Sequence, residues 1–586
     1  KIIENNLALI LEDFGCQPLS QFLQKSSPSI EDFLRISISL SETLSEVHKQ
    51  SIIHDRIKPN NIFINPQTKE VKLTGFGRAI VVPTEQQTIT DIDWQEDSFA
   101  YISPEQTGRM NRLLDYRTDF YSLGVTFYEM LTGIVPFSSE EPMEMLYSHI
   151  AKNPTSPVEK GNIPEAIAKI VMKLLAKNAE DRYQSATGLK YDLENCLSQL
   201  EALGKVETFV LGQGDAGDRI LIPQKLYGRE KEVEGLLETF ARVTQGKKEL
   251  TLVSGYSGIG KTSIVNQVYQ SIAKSRGYLI RGKFDRLKQN IPYSALIRAF
   301  QELINQLLIE GKEKIALWKE KLLLALGPNG QIIIDVIPEV ELIIGPQPEV
   351  LELGLLESEN RFNCVFQQFI NVFCQPEHPL VIFLDDLQWA DAASLKLMQL
   401  IVTDYRIQSL FLIGAYRDNE VNSAHKLFQI IDKAKDADVN VNNIVVKPLL
   451  KNHVTELILE SLGRNIDAEN LQILTELIVE KTEGNPFFAI QLIKTLSTEK
   501  ILFYKSDIRQ WSLDFNRSNF TKLLGYKILD LIVNNIQKLP ISAQNILKLA
   551  ACLGNSFNLS ILAAINEKSE MYVAEELLPA LMAGLI

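Results

Sequence analysis

The octet GYSGIGKT, Gly255 to Thr262, constrains this 586-residue chain more than any other stretch. It has the full GxxxxGK(S/T) spacing, follows the apolar run ELTLVS directly, and opens the helical pattern TSIVNQVYQSIAK. A strand that turns through glycines into a helix gathers backbone N–H groups and the positive end of the helix dipole at one point, which makes a cradle for phosphate. Gly255, Gly258 and Gly260 permit the turn, and Lys261 neutralises phosphate oxygens. Thr262 offers a hydroxyl to Mg²⁺, and Ser263 completes the nucleotide-binding set. A glycine-rich turn before an ordinary helix is the alternative, and the agreement of strand, loop and helix weighs against it.

An Mg²⁺ ion that bridges phosphates needs a carboxylate on a second strand. PLVIFLDD supplies Asp385 and Asp386 about 120 residues downstream. Asp385 is expected to hold the metal through water, and Asp386 to orient or activate the attacking water. A further apolar run ends at Arg417, a cation suited to contact the γ-phosphate, with an ion pair to Asp418 or Glu420 as an equal alternative. From Lys225 the runs ELTLVSG, GYLIRGKFD, PLVIFLDD, SLFLIGAYR and NIVVKPL alternate with helical patterns. That predicts a parallel sheet covered by helices on both faces.

The length favours several domains. The patterns place an α-rich lobe with a small hairpin at 1–200, a Gly/Asp-rich linker at 201–224, an α/β core at 225–450, a helical lid at 451–500 and a partial winged-helix-like module at 501–586. Sixty Lys and Arg against 73 Asp and Glu give a net charge of −13, which argues against nucleic acid as a main partner. The five scattered cysteines show no CxxC spacing and fit a reducing, cytoplasmic setting. His378, His425 and His453 lack paired ligand spacing and read as ordinary residues. No apolar run reaches the ~20 residues of a membrane span. The start at Lys1 and the stop at AGLI read as cuts from something longer.

With LYGRE (Leu226 to Glu230), GYSGIGKT, VIFLDDLQWAD and EGNPFF (Glu483 to Phe488), the region from Tyr227 to Lys500 resembles the STAND class of signalling P-loop ATPases, relatives of the AAA type. The resemblance implies that Gly228 and Arg229 lie near the adenine and that Pro486 of the lid contacts the nucleotide. A plain helix stop and turn at Gly484-Asn485-Pro486 is the local alternative. It also implies a switch. ADP holds core and lid closed, exchange for ATP opens them toward protein partners in signalling or toward self-association, and slow hydrolysis resets them. Asp386 stands where such enzymes usually carry Glu, which leaves the turnover rate open.

HDRIKPNNIFI (His54 to Ile64), LTGFGRA, ISPEQTGRMNR and DFYSLGVTFYEMLTGIVPF resemble, in order, the C-lobe landmarks of a eukaryotic-type Ser/Thr protein kinase. By that resemblance Glu105 and Arg182 form the buried pair of the fold and Asp119 braces the catalytic loop. The catalytic positions depart from it. Arg56 stands at the base position and cannot accept a proton, and Gly75 replaces the metal-holding aspartate, while Lys58 and Asn61 survive. LALILEDF reads as the hinge. The expectation is a degenerate kinase lobe, joined to an ATP/ADP- and Mg²⁺-dependent switch of the kind that continues into sensor and histidine-kinase domains. An active kinase with an accessory ATPase and a non-catalytic nucleotide-binding scaffold are the competing readings.

Overall fold

In the computed structural model every residue is described except 1, 4–5, 8–14, 26, 51, 82–95, 108–113, 140, 216–219, 221, 224, 290, 309–311, 352, 422–424, 506, 509, 515–532, 534–535, 555–556 and 583–586. The expected hinge LALILEDF, apart from Leu7, and the end of ISPEQTGRMNR therefore lie outside the described residues. The chain divides into two compact units, 1–140 with 152–217, and 141–151 with 218–585.

The first unit is built on helices. Helix α1 (Ile30–Lys49) starts where the Ser29 hydroxyl accepts from the Asp32 N–H at 3.1 Å, with Glu31 and Asp32 favouring its positive end. It turns Phe33, Leu34, Ile36, Leu40 and Leu44 inward. Helix α2 (Arg117–Thr132) has almost no solvent face, since all but three of its 16 residues are buried, and it stops at Gly133 in the left-handed region. Helices α3 (Glu165–Leu174) and α4 (Ala186–Leu203) complete the packing around one apolar core. A small antiparallel sheet joins Gln17–Pro18, Ile62–Ile64 and Val71–Leu73.

The stretch expected as linker is bound to this unit over part of its length. Helix α4 runs to Leu203, and beyond it Gly212 N–H donates to Asp192 at 2.7 Å. The Asp215 carboxylate accepts from Gln184 N–H and Ser185 O–H, each at 2.7 Å. Gly214, one of the glycines that read as linker punctuation, lets the chain lie against α4, since a Cβ there would sit 2.7 Å from the Tyr191 ring, and Gly188 within α4 leaves room for Asp215.

The second unit holds the five-stranded parallel sheet. In chain order the strands are β1 (Glu249–Ser254), β2 (Tyr278–Lys283), β3 (Leu380–Asp385), β4 (Leu410–Tyr416) and β5 (Asn440–Val445), and across the sheet they run β5-β1-β4-β3-β2. β1 is buried along its whole length and β3 up to Asp385. The last strand starts at Asn440 rather than in the apolar NIVVKPL run. It forms one edge and is exposed or half-buried throughout, so burial does not demand an apolar sequence there. Beyond the sheet, helices α5 (Lys451–Ser461), α6 (Ala468–Thr482) and α7 (Pro486–Thr498) share a separate apolar cluster with Tyr227 and Trp511. WSLDF is one arm of an antiparallel hairpin, Gln510–Leu513 against Leu502–Lys505. The expected winged-helix-like module falls partly on 515–532, outside the described residues; helices Ile541–Leu553, Leu559–Ile565 and Glu570–Met582 follow.

Candidate functional site

The glycine-rich turn leaves β1 at Ser254, and Gly255, Gly258 and Gly260 all adopt positive φ. At Gly258 this is a packing requirement as well, because a Cβ there would sit 2.8 Å from the Phe487 Cβ. Lys261 is 8 % exposed, and its Nζ donates to the carbonyls of Gly255 at 2.8 Å and Tyr256 at 3.0 Å. Burial lowers the ammonium's pKa, and the carboxylates of Asp385 and Asp386 oppose that shift. The Thr262 hydroxyl, in the helix Lys261–Asn266 that the turn leads into, donates to Asp385 Oδ2 at 3.0 Å, although β4 lies between β1 and β3 in the sheet. Burial and the neighbouring Asp386 raise the Asp385 pKa, against Lys283 and the Thr262 hydrogen bond. Ser263 follows with its side chain exposed. A hydroxyl and a carboxylate at hydrogen-bond distance, both oxygen donors, suit a hard divalent cation.

Asp386 occupies the left-handed region, φ 56°, and is buried. Its Oδ1 accepts from Gln388 Nε2 at 2.8 Å and lies 3.4 Å from Arg417 Nε, while Lys283 Nζ stands 3.6 Å from Oδ2. Arg417 Nη1 also donates to Glu420 at 2.8 Å, so the ion-pair alternative is realised and the contact with Asp386 is added to it. The guanidinium lies over the Trp389 ring, 4.7 Å from its centroid.

The two remaining groups come from other segments, and the one around Pro486 is the one that meets the turn. Gly228 abuts the imidazole of His453, and the buried Arg229 guanidinium donates to the Lys447 carbonyl. Burial lowers the Arg229 pKa. Pro486 is the first residue of α7, and Asn485 before it does two things at once. Its Oδ1 accepts from Phe487 N–H at 3.1 Å, which caps the helix, and its Nδ2 donates to the Ser257 carbonyl at 2.9 Å. Phe487 N–H reaches the Gly258 carbonyl at 3.4 Å. Sequence reasoning did not single out Asn485, Gln388, Trp389 and Lys283, which the structure places beside the expected site residues. An Asn before a Pro that opens a helix is an N-cap signal and could have singled out Asn485.

In the first unit Asp119 accepts from the backbone N–H groups of His54 and Asp55 at 2.9 Å each and pairs with His48 Nε2 at 2.9 Å. Asp55 has φ 66°, and its Oδ1 accepts from Gln106 Nε2 at 2.8 Å. Asn61 Nδ2 donates to the carbonyl of Arg56 at 2.8 Å, and Lys58 precedes the short turn Pro59–Asn61. Gly75 has φ 83°, and a Cβ there would come within 2.7 Å of the Asn61 amide, so Asn61 fills the space in which a side chain at 75 would start. Glu105 and Arg182 form a two-pronged buried pair at 2.6 and 2.9 Å.

Comparison with known proteins finds two domains, the first of which includes residues 141–151 that belong to the second compact unit. Residues 3–193 match the model of the protein kinase domain and residues 225–413 that of an AAA ATPase domain. The chain is 31% identical to "Hybrid signal transduction histidine kinase G" of Dictyostelium discoideum, over 92% of this chain and 20% of that protein. It is 22% identical to "Peroxide stress-activated histidine kinase mak3" of Schizosaccharomyces pombe, over 95% of this chain and 27% of that protein. A probable serine/threonine-protein kinase of Clostridium perfringens is 36% identical over 29% of this chain and 24% of its own length. The chain thus spans about a fifth to a quarter of the length of these relatives. Among the described residues no helix is long and apolar enough to cross a membrane, and no group of three His, Cys, Asp or Glu side chains is placed to share a metal ion.

Proposed function

We propose, for a chain that joins a protein kinase domain to an AAA ATPase domain, that the second domain is a STAND-type ATP/ADP switch within a cytoplasmic signalling protein and that the first is a degenerate kinase lobe serving as a docking or regulatory surface. The observation that carries the switch is the 3.0 Å hydrogen bond between Thr262 and Asp385, beside the buried Lys261 ammonium. In this reading the turn's backbone amides and Lys261 hold the β- and γ-phosphates, with Gly228 and Arg229 near the adenine and Pro486 in contact with the nucleotide. Thr262 and Asp385 would hold Mg²⁺, which when bound neutralises charge on the phosphate oxygens. Helices α5 to α7 are the lid, and Asn485 and Phe487 tie it to the turn. Asp386 orients the attacking water once its contacts to Arg417 and Gln388 are given up.

The engagement of Asp386 by Gln388, Arg417 and Lys283 favours slow turnover, and at its limit a nucleotide-binding scaffold. Phosphate release by the full chain, with Asp386→Asn and Lys261→Ala beside it, separates the cases. Release lost in both variants supports the switch, release no greater than that of Asp386→Asn leaves binding alone, and a native chain without affinity for MgATP or MgADP overturns the reading.

Arg56 and Gly75 support the degenerate lobe, because an arginine cannot act as base and a glycine cannot ligate a metal. Transfer of γ-phosphate to a protein substrate that persists in Lys261→Ala and vanishes in Asp55→Ala would restore the kinase reading.

A further inference from the structure

We infer that Trp389 and Glu420 are positioning residues that hold Arg417 on the Asp386 carboxylate, so that the preference of the site for ATP over ADP is set by competition between this ring of contacts and the terminal phosphate. The inference rests on the nucleotide-switch reading above and names how that switch tells its two ligands apart.

The ring is built from two short turns at the ends of neighbouring parallel strands, Leu387–Trp389 after β3 and Arg417 to Glu420 after β4. Glu420 is its bridge. One carboxylate oxygen accepts from Arg417 Nη1 at 2.8 Å and the other from Trp389 Nε1 at 3.1 Å, which fixes the indole beneath the guanidinium at 4.7 Å. Arg417 Nε then lies 3.4 Å from Asp386 Oδ1, an ion pair by charge and distance. Gln388 closes the ring from both sides, donating to Asp386 at 2.8 Å and accepting from the Arg417 backbone N–H at 3.1 Å. The Asp386 side chain is 8 % exposed and that of Arg417 24 %. A guanidinium is a rigid fork, so a placement that joins the Nη1 hydrogen bond, the π-face and the charge of Asp386 leaves little freedom.

ATP differs from ADP by one phosphoryl group, and a protein responds to that difference only through a contact made to one ligand and not the other. Arg417 is a cation suited to that contact, and its charge is felt at the Lys261 ammonium. To reach a terminal phosphate it must leave Trp389, Glu420 and Asp386. Weakening that hold should therefore improve ATP affinity while leaving ADP affinity where it was. A residue that only supports the fold would change both together.

The test uses the full chain and measures MgATP and MgADP affinities by displacement of a fluorescent ADP. Trp389→Ala, Trp389→Phe and Glu420→Gln are compared in the native and Arg417→Ala backgrounds. Trp389→Ala and Glu420→Gln are expected to raise the ATP-to-ADP affinity ratio roughly 2–5-fold, the range of one exposed cation–π contact. Trp389→Phe, which keeps a ring face but not the N–H, should raise it less. In the Arg417→Ala background all three should be silent. An unchanged ratio with both affinities lowered, or a ratio change that persists without Arg417, overturns the inference. Trp389→Phe and Glu420→Gln keep it decidable should Trp389→Ala fail to fold. Absence of nucleotide binding in the native chain, or binding untouched by Lys261→Ala, instead removes the switch reading itself.

Discussion

Asp55 is a partly buried carboxyl held on several sides at once. The carboxyl sits one position before Arg56, in a left-handed backbone conformation, with Gln106 donating to both its side chain and its carbonyl. Burial, helped by Asp119 and opposed by the Gln106 hydrogen bond and by Arg78 and Arg56, raises its pKa from 3.8 to about 6. A carboxyl whose pKa is higher folded than unfolded binds more protons in the native state between those values. Its ionisation therefore costs stability progressively as pH rises from about 4 to about 6, and the cost is full above that. The upper bound is about 3 kcal/mol, at 1.36 kcal/mol per pH unit. Asp55→Asn keeps the acceptor for Gln106, tolerates positive φ and cannot ionise. The variant should gain on the native chain by roughly 1–3 kcal/mol at pH 7 and by nothing at pH 4. Denaturant midpoints of the first unit across that range decide it, and a gain that does not change with pH would show that ionisation is not the cause.

At the scale of elements, the only side-chain hydrogen bond between the start of α7 and the glycine-rich turn among the described residues comes from one amide, beside the backbone contact of Phe487 with Gly258. An Asn485 side chain that both caps the helix and donates to Ser257 invites a separation of the two roles. Asn485→Asp keeps the capping acceptor but turns an oxygen toward the Ser257 carbonyl, whereas Asn485→Ala loses both contacts. Capping is worth about 1 kcal/mol, and a typical hydrogen bond a similar amount. The Asp variant should melt within about 2 °C of the native chain, and the Ala variant roughly 2–4 °C lower. In both, amide exchange in the turn 256–260 should quicken roughly 5-fold or more, read by hydrogen-exchange mass spectrometry. A turn that stays equally protected in Asn485→Asp would mean that the contact does not tie α7 to it. The cap was legible in the sequence, since Asn-Pro before an apolar helical run is a local signal. The hydrogen bond to Ser257 was not, because it joins positions 228 residues apart and exists only once α7 folds back on the turn. The pairing of Thr262 with Asp385 spans 123 residues yet was legible, because Asp385 ends one buried apolar strand and the glycine-rich turn that follows another leads directly to Thr262. β5 was misread by several residues for the converse reason. An edge strand is not obliged to be apolar, and the hydrophobic run that stood out belongs partly to the chain leaving the sheet.

For the whole molecule, the question is whether the two units carry separate stability. Each has its own apolar core, one among the helices α1 to α4, the others around the sheet and around α5 to α7. The first is also closed by the pair Glu105–Arg182, in which both side chains are at most 1 % exposed and the guanidinium further donates to the carbonyls of Ala176, Arg117 and Lys177. Every one of these bonds assumes a charge balanced inside the protein. Glu105→Ala would leave Arg182 charged and buried among carbonyls alone, a loss of about 3–5 kcal/mol, set against the 5–15 kcal/mol of a typical domain. In a domain of 150–250 residues that is a fall of roughly 6–20 °C in melting temperature. Calorimetry of the full chain should then resolve two transitions. The one lowered by Glu105→Ala belongs to the first unit, and the one raised by excess MgADP, by mass action on the folded state, belongs to the second. With separate cores the nucleotide-sensitive transition should stay within about 2 °C of its native position in Glu105→Ala, because the lost ion pair is no part of the structure that melts there. A joint fall of both transitions would mean that the units unfold as one and that a lesion in the kinase lobe is felt at the phosphate turn. Nucleotide at the second unit would then have to raise the melting of the first, since linkage between them is reciprocal.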